Sequence, residues 1–255
     1  MTLLQVRSLR KDFGGNRAVD DVSFDVHAGE LLALIGPNGA GKSTTFNMVN
    51  GQLAPSAGSV SLEGVSLVGR SPRHIARMGV GRTFQIAATF ASLTVCENVQ
   101  MALLAHHRKI HVFWRPVRNY YRKQAELLLD QVGMLAQADR PCSELAYGDV
   151  KRIELAMSLA GNPQVLLMDE PTAGMAPAER NALIGLVKQL VQERNMAVLF
   201  TEHSMDVVFA YADRVIVLAR GRLIAQGSVQ QVRDDPKVQQ VYFGTGRSFT
   251  ARQAQ

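Results

Sequence analysis

The run Gly36-Pro37-Asn38-Gly39-Ala40-Gly41-Lys42-Ser43 fits the spacing G-x-x-x-x-G-K-[ST]. Its glycines let the backbone curl around a phosphate with no side chain in the way. The loop's N–H groups and the N-terminus of the helix that follows then face the anion. Lys42 reaches the β- and γ-phosphates, the Ser43 hydroxyl ligates Mg²⁺, and Thr44 completes the cradle. The chemistry expected of this loop is therefore the binding of a nucleoside triphosphate with Mg²⁺.

A second element carries acids. Val165-Leu166-Leu167-Met168-Asp169-Glu170 reads as a buried strand ending in two carboxylates. An acid at the carboxyl end of a parallel strand lies in the crevice where ligands bind. Asp169 fits the aspartate that holds Mg²⁺, directly or through water. Glu170, one residue on, is placed to orient or deprotonate the attacking water, a role worth roughly 10²–10⁴ in rate. Alone, such a pair could equally be the solvated end of an ordinary strand. Beside a phosphate loop it reads as the hydrolytic half of a site.

These groups need a frame. Residues 31–35 form a continuous apolar run, as do 165–168 and 197–200, each followed by a helical pattern. Short, fully apolar strands alternating with helices imply a parallel sheet covered on both faces. A helix is expected from about Lys42 to near Gly51. Residues 3–6, 22–26 and 59–62, separated by turn-rich sequence such as FGGN, imply a small antiparallel sheet. From about 87 to 160 helical patterns dominate, as in 121–132, which predicts a helical subdomain. Residues 215–218 and 223–225 flank Arg220-Gly221 and read as a hairpin. The expected domain spans 3–244, and the remainder, 245–255, is a polar tail of the mobile kind.

Composition narrows the class. The 255 residues, 47% hydrophobic and 20% charged, suit a globular domain with ample core. No apolar run approaches the length that crosses a bilayer. The opening MTLLQVRSLRKDF turns charged too early for a signal-peptide core, which predicts a chain at the cytoplasmic side. Cys96 and Cys142, far apart and without CxxC spacing, are expected to be reduced thiols with no metal role. The net charge of +6 is compatible with nucleic acid, an anionic surface or an ordinary solvated exterior.

With these motifs in place the chain resembles the ABC ATPases. Leu145-Ala146-Tyr147-Gly148-Asp149 resembles their signature loop, usually LSGGQ. Gln85 in Gly81-Arg82-Thr83-Phe84-Gln85 resembles their Q-loop glutamine, and His203 in Thr201-Glu202-His203 their switch histidine. Phe13 stands where the family places an aromatic that stacks on adenine. The order of these elements is the family's own over residues 3–244. The run TTFNMVNGQLAPSAGSV, the GRTFQ form, the LAYGD signature and Tyr242-Phe243-Gly244 further resemble the ATP-binding subunits of branched-chain amino acid importers, a pattern shared with carriers of urea, amides or aromatic acids.

The resemblance implies an α/β P-loop NTPase fold with ATP and Mg²⁺ as cofactors. It implies two cassettes packed head to tail, each ATP held by the phosphate loop of one chain and Leu145, Tyr147 and Gly148 of the other. Gln85 would join Ser43 and Asp169 around Mg²⁺, and His203 would hydrogen-bond the γ-phosphate. The partners implied are membrane-spanning permeases, a second cassette and a separate solute-binding protein, at the cytoplasmic face of the membrane.

Two positions depart from the family pattern. Ala146 replaces the signature serine and so lacks its hydroxyl contact to the opposite γ-phosphate. Ala173-Gly174-Met175-Ala176 stands where the family often has an aspartate that couples the two sites. The missing hydroxyl favours a heterodimer, in which a cassette with a complete signature clamps the ATP held by Lys42. Residues 106–121, rich in His, Arg and aromatics, could bind nucleic acid, anionic headgroups or the permeases, or be a solvated amphipathic segment. His107 and His111 have helical i, i+4 spacing, as some zinc ligands do, but no acid or cysteine lies close by. Translation and repair ATPases of the family are disfavoured by the single phosphate loop and the lack of heptads, and no nucleic acid partner is expected. A small-molecule kinase gives no reason for the signature, Gln85 and His203 together.

Overall fold

The computed structural model describes residues 1–83, 89–107 and 120–243. Gln85, most of the basic aromatic segment and the expected tail lie outside the described residues.

The core sheet is built from β3 (Leu31–Ile35), β6 (Val80–Arg82), β7 (Val165–Asp169), β8 (Ala197–Thr201), β9 (Arg214–Ala219) and β10 (Arg222–Gly227). Its order is β10-β9-β3-β8-β7-β6, parallel throughout except for β10, which runs antiparallel to β9. Arg220 and Gly221, both at positive φ (49° and 77°), form the two-residue turn between β9 and β10.

Side-chain alternation along the buried strands assigns the two faces. Leu31, Ala33 and Ile35 of β3 join Leu166 and Met168 of β7 and Val198 and Phe200 of β8 in one apolar cluster. It is covered by α3 (Val95–His106), α4 (Arg122–Gln131), α5 (Tyr147–Leu159), α6 (Pro177–Arg194) and α7 (Met205–Tyr211). Leu32 and Leu34 face the other way, with Leu167 and Leu199, toward α1 (Lys42–Val49) and a second sheet. That sheet comprises β1 (Thr2–Phe13), β2 (Asn16–His27), β4 (Ala57–Leu62) and β5 (Val65–Ser66), antiparallel in the order β2-β1-β4-β5. Among the described residues the remaining α-helices are α2 (Pro72–Arg77), α8 (Val229–Asp234) and α9 (Pro236–Phe243).

Several expected elements are longer than their patterns. Residues 3–6 and 22–26 are pieces of strands of 12 residues each. The alternation breaks because Ser8 and Asp21 adopt positive φ and the register shifts between Val6 and Leu9. β6 escapes sequence reading because it has three residues, of which Val80 alone is buried. Cys96 and Cys142 are buried free thiols, and burial pushes Cys96 up to about 11.

Candidate functional site

The phosphate loop is the connection from β3 to α1. A Cβ on Gly36 would lie 2.2 Å from the Leu218 carbonyl oxygen, and one on Gly41, at φ 100°, would lie 2.7 Å from that of Ala18. The loop fits only because these two positions are glycine. No side chain caps α1 and no acid occupies its first turn. Its first N–H groups are therefore available to an anion. Lys42 is buried and turns back on the loop, donating to the carbonyls of Gly36 at 2.7 Å and Pro37 at 3.2 Å. Burial lowers its pKa, and the charges of Glu170 and Asp169 oppose that shift. Ser43 is exposed on the first turn.

β8 lies between β3 and β7 in the sheet, so the carboxyl ends of all three strands open on one edge. Asp169 closes β7, almost fully buried. Its Oδ1 accepts from the Thr201 hydroxyl at 2.7 Å, and its Oδ2 lies 3.4 Å from an Arg82 nitrogen. Burial lowers the Arg82 pKa, and Asp169 offsets this. Glu170 adopts φ 49°, and its N–H is held by the Thr201 hydroxyl at 3.0 Å and the Thr201 carbonyl at 3.2 Å. This backbone turns the Glu170 carboxylate to His203, Oε1 to Nε2 2.8 Å. Buried Glu202 accepts from the Thr172 hydroxyl at 2.5 Å, the Thr172 N–H at 3.1 Å and the His203 N–H at 3.1 Å, fixing both flanks of that contact.

The fold thus gathers Lys42, Asp169, Glu170 and His203 at one sheet edge. Leu145, Tyr147 and Gly148 sit elsewhere, at the start of α5. The Tyr147 hydroxyl donates to the Ala173 carbonyl at 3.3 Å, and a Cβ on Gly148 would lie 3.3 Å from the Glu179 carboxylate. Phe13 ends β1 and is 48% exposed, with the Lys11 ammonium 5.1 Å from its ring centroid, so it is not a core residue. Thr201, Glu202 and Arg82 hold the site together and were not singled out by sequence. The signal for Thr201 was a hydroxyl at the end of an otherwise apolar strand. His107 stacks on Tyr121 at 4.7 Å, and no cluster of three metal-binding side chains occurs among the described residues.

A glycine-rich loop ahead of a helix, with an acid at the end of a parallel strand of the same sheet, defines a P-loop NTPase. Residues 19–173 match the family model described as ABC transporter, and residues 222–247 match the model for the branched-chain amino acid ATP-binding cassette transporter. The chain belongs to the ATP-binding subunits of ABC transporters. It is 38% identical over 252 residues to the high-affinity branched-chain amino acid transport ATP-binding protein LivG of Escherichia coli, covering 95% of this chain and 98% of that one. It is 36% identical over 254 residues to BraF of Pseudomonas aeruginosa, again covering 95% and 98%. Among solved structures it superimposes on the ADP conformation of the ATP-binding cassette MJ1267 with a TM-score of 0.85 at 31% identity, covering 96% of this chain and 99% of that one.

Proposed function

We propose that this chain hydrolyses ATP to drive an importer of branched-chain or related amino acids. The observation that carries the chemistry is the 2.8 Å contact between Glu170 and His203, beside Asp169 and across the sheet edge from Lys42. The names and near-complete coverage of the LivG and BraF relatives support the choice of solute class.

In this reading Gly36 to Thr44 cradle the phosphates and Phe13 stacks on adenine. The exposed Ser43 hydroxyl and the buried Asp169 carboxylate offer the hard oxygen donors that Mg²⁺ takes, with Gln85 as the third ligand implied by the family. Bound there, Mg²⁺ would neutralise charge on the phosphates. Glu170 orients and deprotonates the attacking water, and His203 fixes the γ-phosphate. Leu145, Tyr147 and Gly148 complete the site of a second cassette. ATP then favours the closed pair because it contacts both chains only in that state. The domain runs over 3–244, with a helical part at about 87–160 and the tail at 245–255.

No helix among the described residues is long and apolar enough to cross a membrane, so transport requires spanning partners. A groove of about 610 Å³ between α2, β6, α3 and α5, lined by Arg73, Ile75, Arg82, Ala102, Ala105 and Met157, suits a permease segment. It shares Arg82 with the site, so its occupant touches the residue beside Asp169. The assembly we favour has two different cassettes on two permeases, served by a solute-binding protein, at the cytoplasmic face, with no nucleic acid.

Glu170→Gln tests the chemistry. The amide keeps the shape and a hydrogen bond to His203 but cannot take a proton. Phosphate release should fall about 10²–10⁴-fold while ATP binding persists; release near the wild-type rate would remove Glu170 from the role. The assembly has its own test. The purified chain should be slow, and adding the second cassette and permeases should raise the rate far beyond the sum of the parts. A full-rate complex with the permeases and no second cassette would overturn the heterodimer.

A further inference from the structure

Tyr147 stands in the signature loop, yet its side chain points to the other functional loop of its own chain. Its hydroxyl donates to the Ala173 carbonyl at 3.3 Å. The Ala173 N–H donates to the Glu170 carbonyl at 3.1 Å. Glu170 in turn meets His203 at 2.8 Å. Two successive hydrogen bonds therefore run from the signature loop to the backbone of Glu170, whose carboxylate meets His203.

Gly174, at φ 79°, lies alongside the Tyr147 ring, where a Cβ would stand at ordinary contact distance, 3.8 Å from the ring edge. The ring has a fixed neighbour on its own helix. The Lys151 ammonium sits 5.4 Å from the ring centroid. Lys151 cannot wander, because it is buried one turn along α5 in a 2.9 Å pair with buried Glu154. Ring and cation thus form a fixed stack on which the hydroxyl is aimed. Tyr147 itself remains 46% exposed, as expected of a residue that a second cassette covers. The aspartate that commonly couples sites in the family is replaced here by Ala176. The contact through Tyr147 uses a backbone carbonyl and does not need that carboxylate.

We propose that Tyr147 is a positioning residue that couples the two nucleotide sites of the assembled pair, through Ala173 to Glu170. The proposal rests on the head-to-tail assembly above. ATP on the opposite cassette settles against the signature loop and fixes Tyr147. Tyr147 then fixes Ala173, and the loop that follows β7 holds Glu170 on its water. Hydrolysis at the site of Lys42 becomes responsive to whether the other site is filled.

Tyr147→Phe removes the hydroxyl and keeps the ring and its cation. In the complex with its permeases and second cassette, kcat should fall about three- to tenfold, the range one lost hydrogen bond supports. The KM for ATP should stay within about twofold, and the Hill coefficient should drop toward one. The thermal midpoint of the chain should fall by no more than about 6 °C, so the chain stays folded at the assay temperature. In the chain alone, amide hydrogens of residues 170–176 should exchange faster in the variant. A wild-type kcat and Hill coefficient would overturn the coupling, as would a rise in KM alone, which would mark Tyr147 as a nucleotide contact only. Glu170→Gln, run in parallel, separates the two ideas. If it hydrolyses normally, the assignment of the site fails; if it is dead while Tyr147→Phe is normal, only the coupling fails.

Discussion

Thr201→Val probes the site through a residue that touches no nucleotide phosphate in the proposed mechanism. Thr201 is fully buried at the end of β8. Its hydroxyl donates to Asp169 at 2.7 Å and accepts from the Glu170 N–H at 3.0 Å. Valine keeps the volume and removes both. The second loss is small, because the Glu170 N–H retains the Thr201 carbonyl at 3.2 Å. The first is not, because the other partner of Asp169, Arg82, stands off at 3.4 Å. A hydrogen bond to a charged group contributes about 1.5–3 kcal/mol. In a chain of this length each kcal/mol moves Tm by roughly 2–4 °C, so the variant should melt about 3–12 °C lower.

Activity should fall with it. The same hydroxyl fixes the carboxylate assigned to Mg²⁺ and the backbone that aims Glu170, and a displacement costing about 1.4 kcal/mol in the transition state is tenfold in rate. Circular dichroism melts and steady-state phosphate release measure the two effects. Thr201→Ser, which keeps the hydroxyl, should recover most of both. A valine variant that melts within a degree of the wild type and hydrolyses at its rate would refute the argument that Thr201 organises Asp169 and Glu170.

Phe13→Ala should weaken ATP binding by about 1–3 kcal/mol, the contribution of one base–aromatic stack; isothermal titration with ATP and with inorganic triphosphate checks it, since equal losses for both would exclude a role with the base. Asp20→Asn addresses stability. Asp20 accepts from Arg222 at 2.6 Å and pairs with Arg17 and Arg10, and the Arg222 bond leads the causes that hold its pKa below the ordinary carboxylate value. A depressed carboxylate stabilises the fold above its unfolded pKa and loses that contribution as pH falls through the folded one. The asparagine variant should therefore be less stable at neutral pH, with the gap closing below about pH 4; a gap constant from pH 7 to pH 3 in urea titrations would contradict this.

The legible parts of this chain are those whose physics is local. Gly36 to Ser43 announces itself because the loop's conformation and its ligand chemistry depend on contiguous residues. The strands 31–35, 165–168 and 197–200 are legible because burial on both faces leaves no polar residue in them. Arg82, Thr201 and Glu202 were not, because their roles arise only when β6, β7 and β8 lie side by side. An arginine beside a glycine on a three-residue strand carries no periodic signal, and its target Asp169 is 87 positions away in the chain. The contact from Tyr147 to Ala173 was invisible for the same reason. It joins a loop read for one site to a loop read for another.

The start of α5 also bears on the missing serine of the proposed signature loop. Ala146 occupies the cap position, and no side chain there takes up the first N–H groups of the helix. The Asp149 N–H is taken by the Ala146 carbonyl at 3.0 Å, and the N–H groups of Tyr147 and Gly148 and the helix dipole can serve a phosphate. Asp149, in the first turn, works in the opposite sense. A carboxylate there steadies the isolated helix by about 0.3–1 kcal/mol, but it repels a phosphate brought to the same end. In the proposed head-to-tail assembly, loss of the hydroxyl and gain of the carboxylate would therefore both weaken what this chain offers to the opposite ATP. Neither touches the site of Lys42, Asp169 and Glu170. In a pair of identical chains both sites would carry the weakness. Beside a cassette with a complete signature, as we propose, it would fall on one site alone, and the site of Lys42 would be the one that keeps full closure.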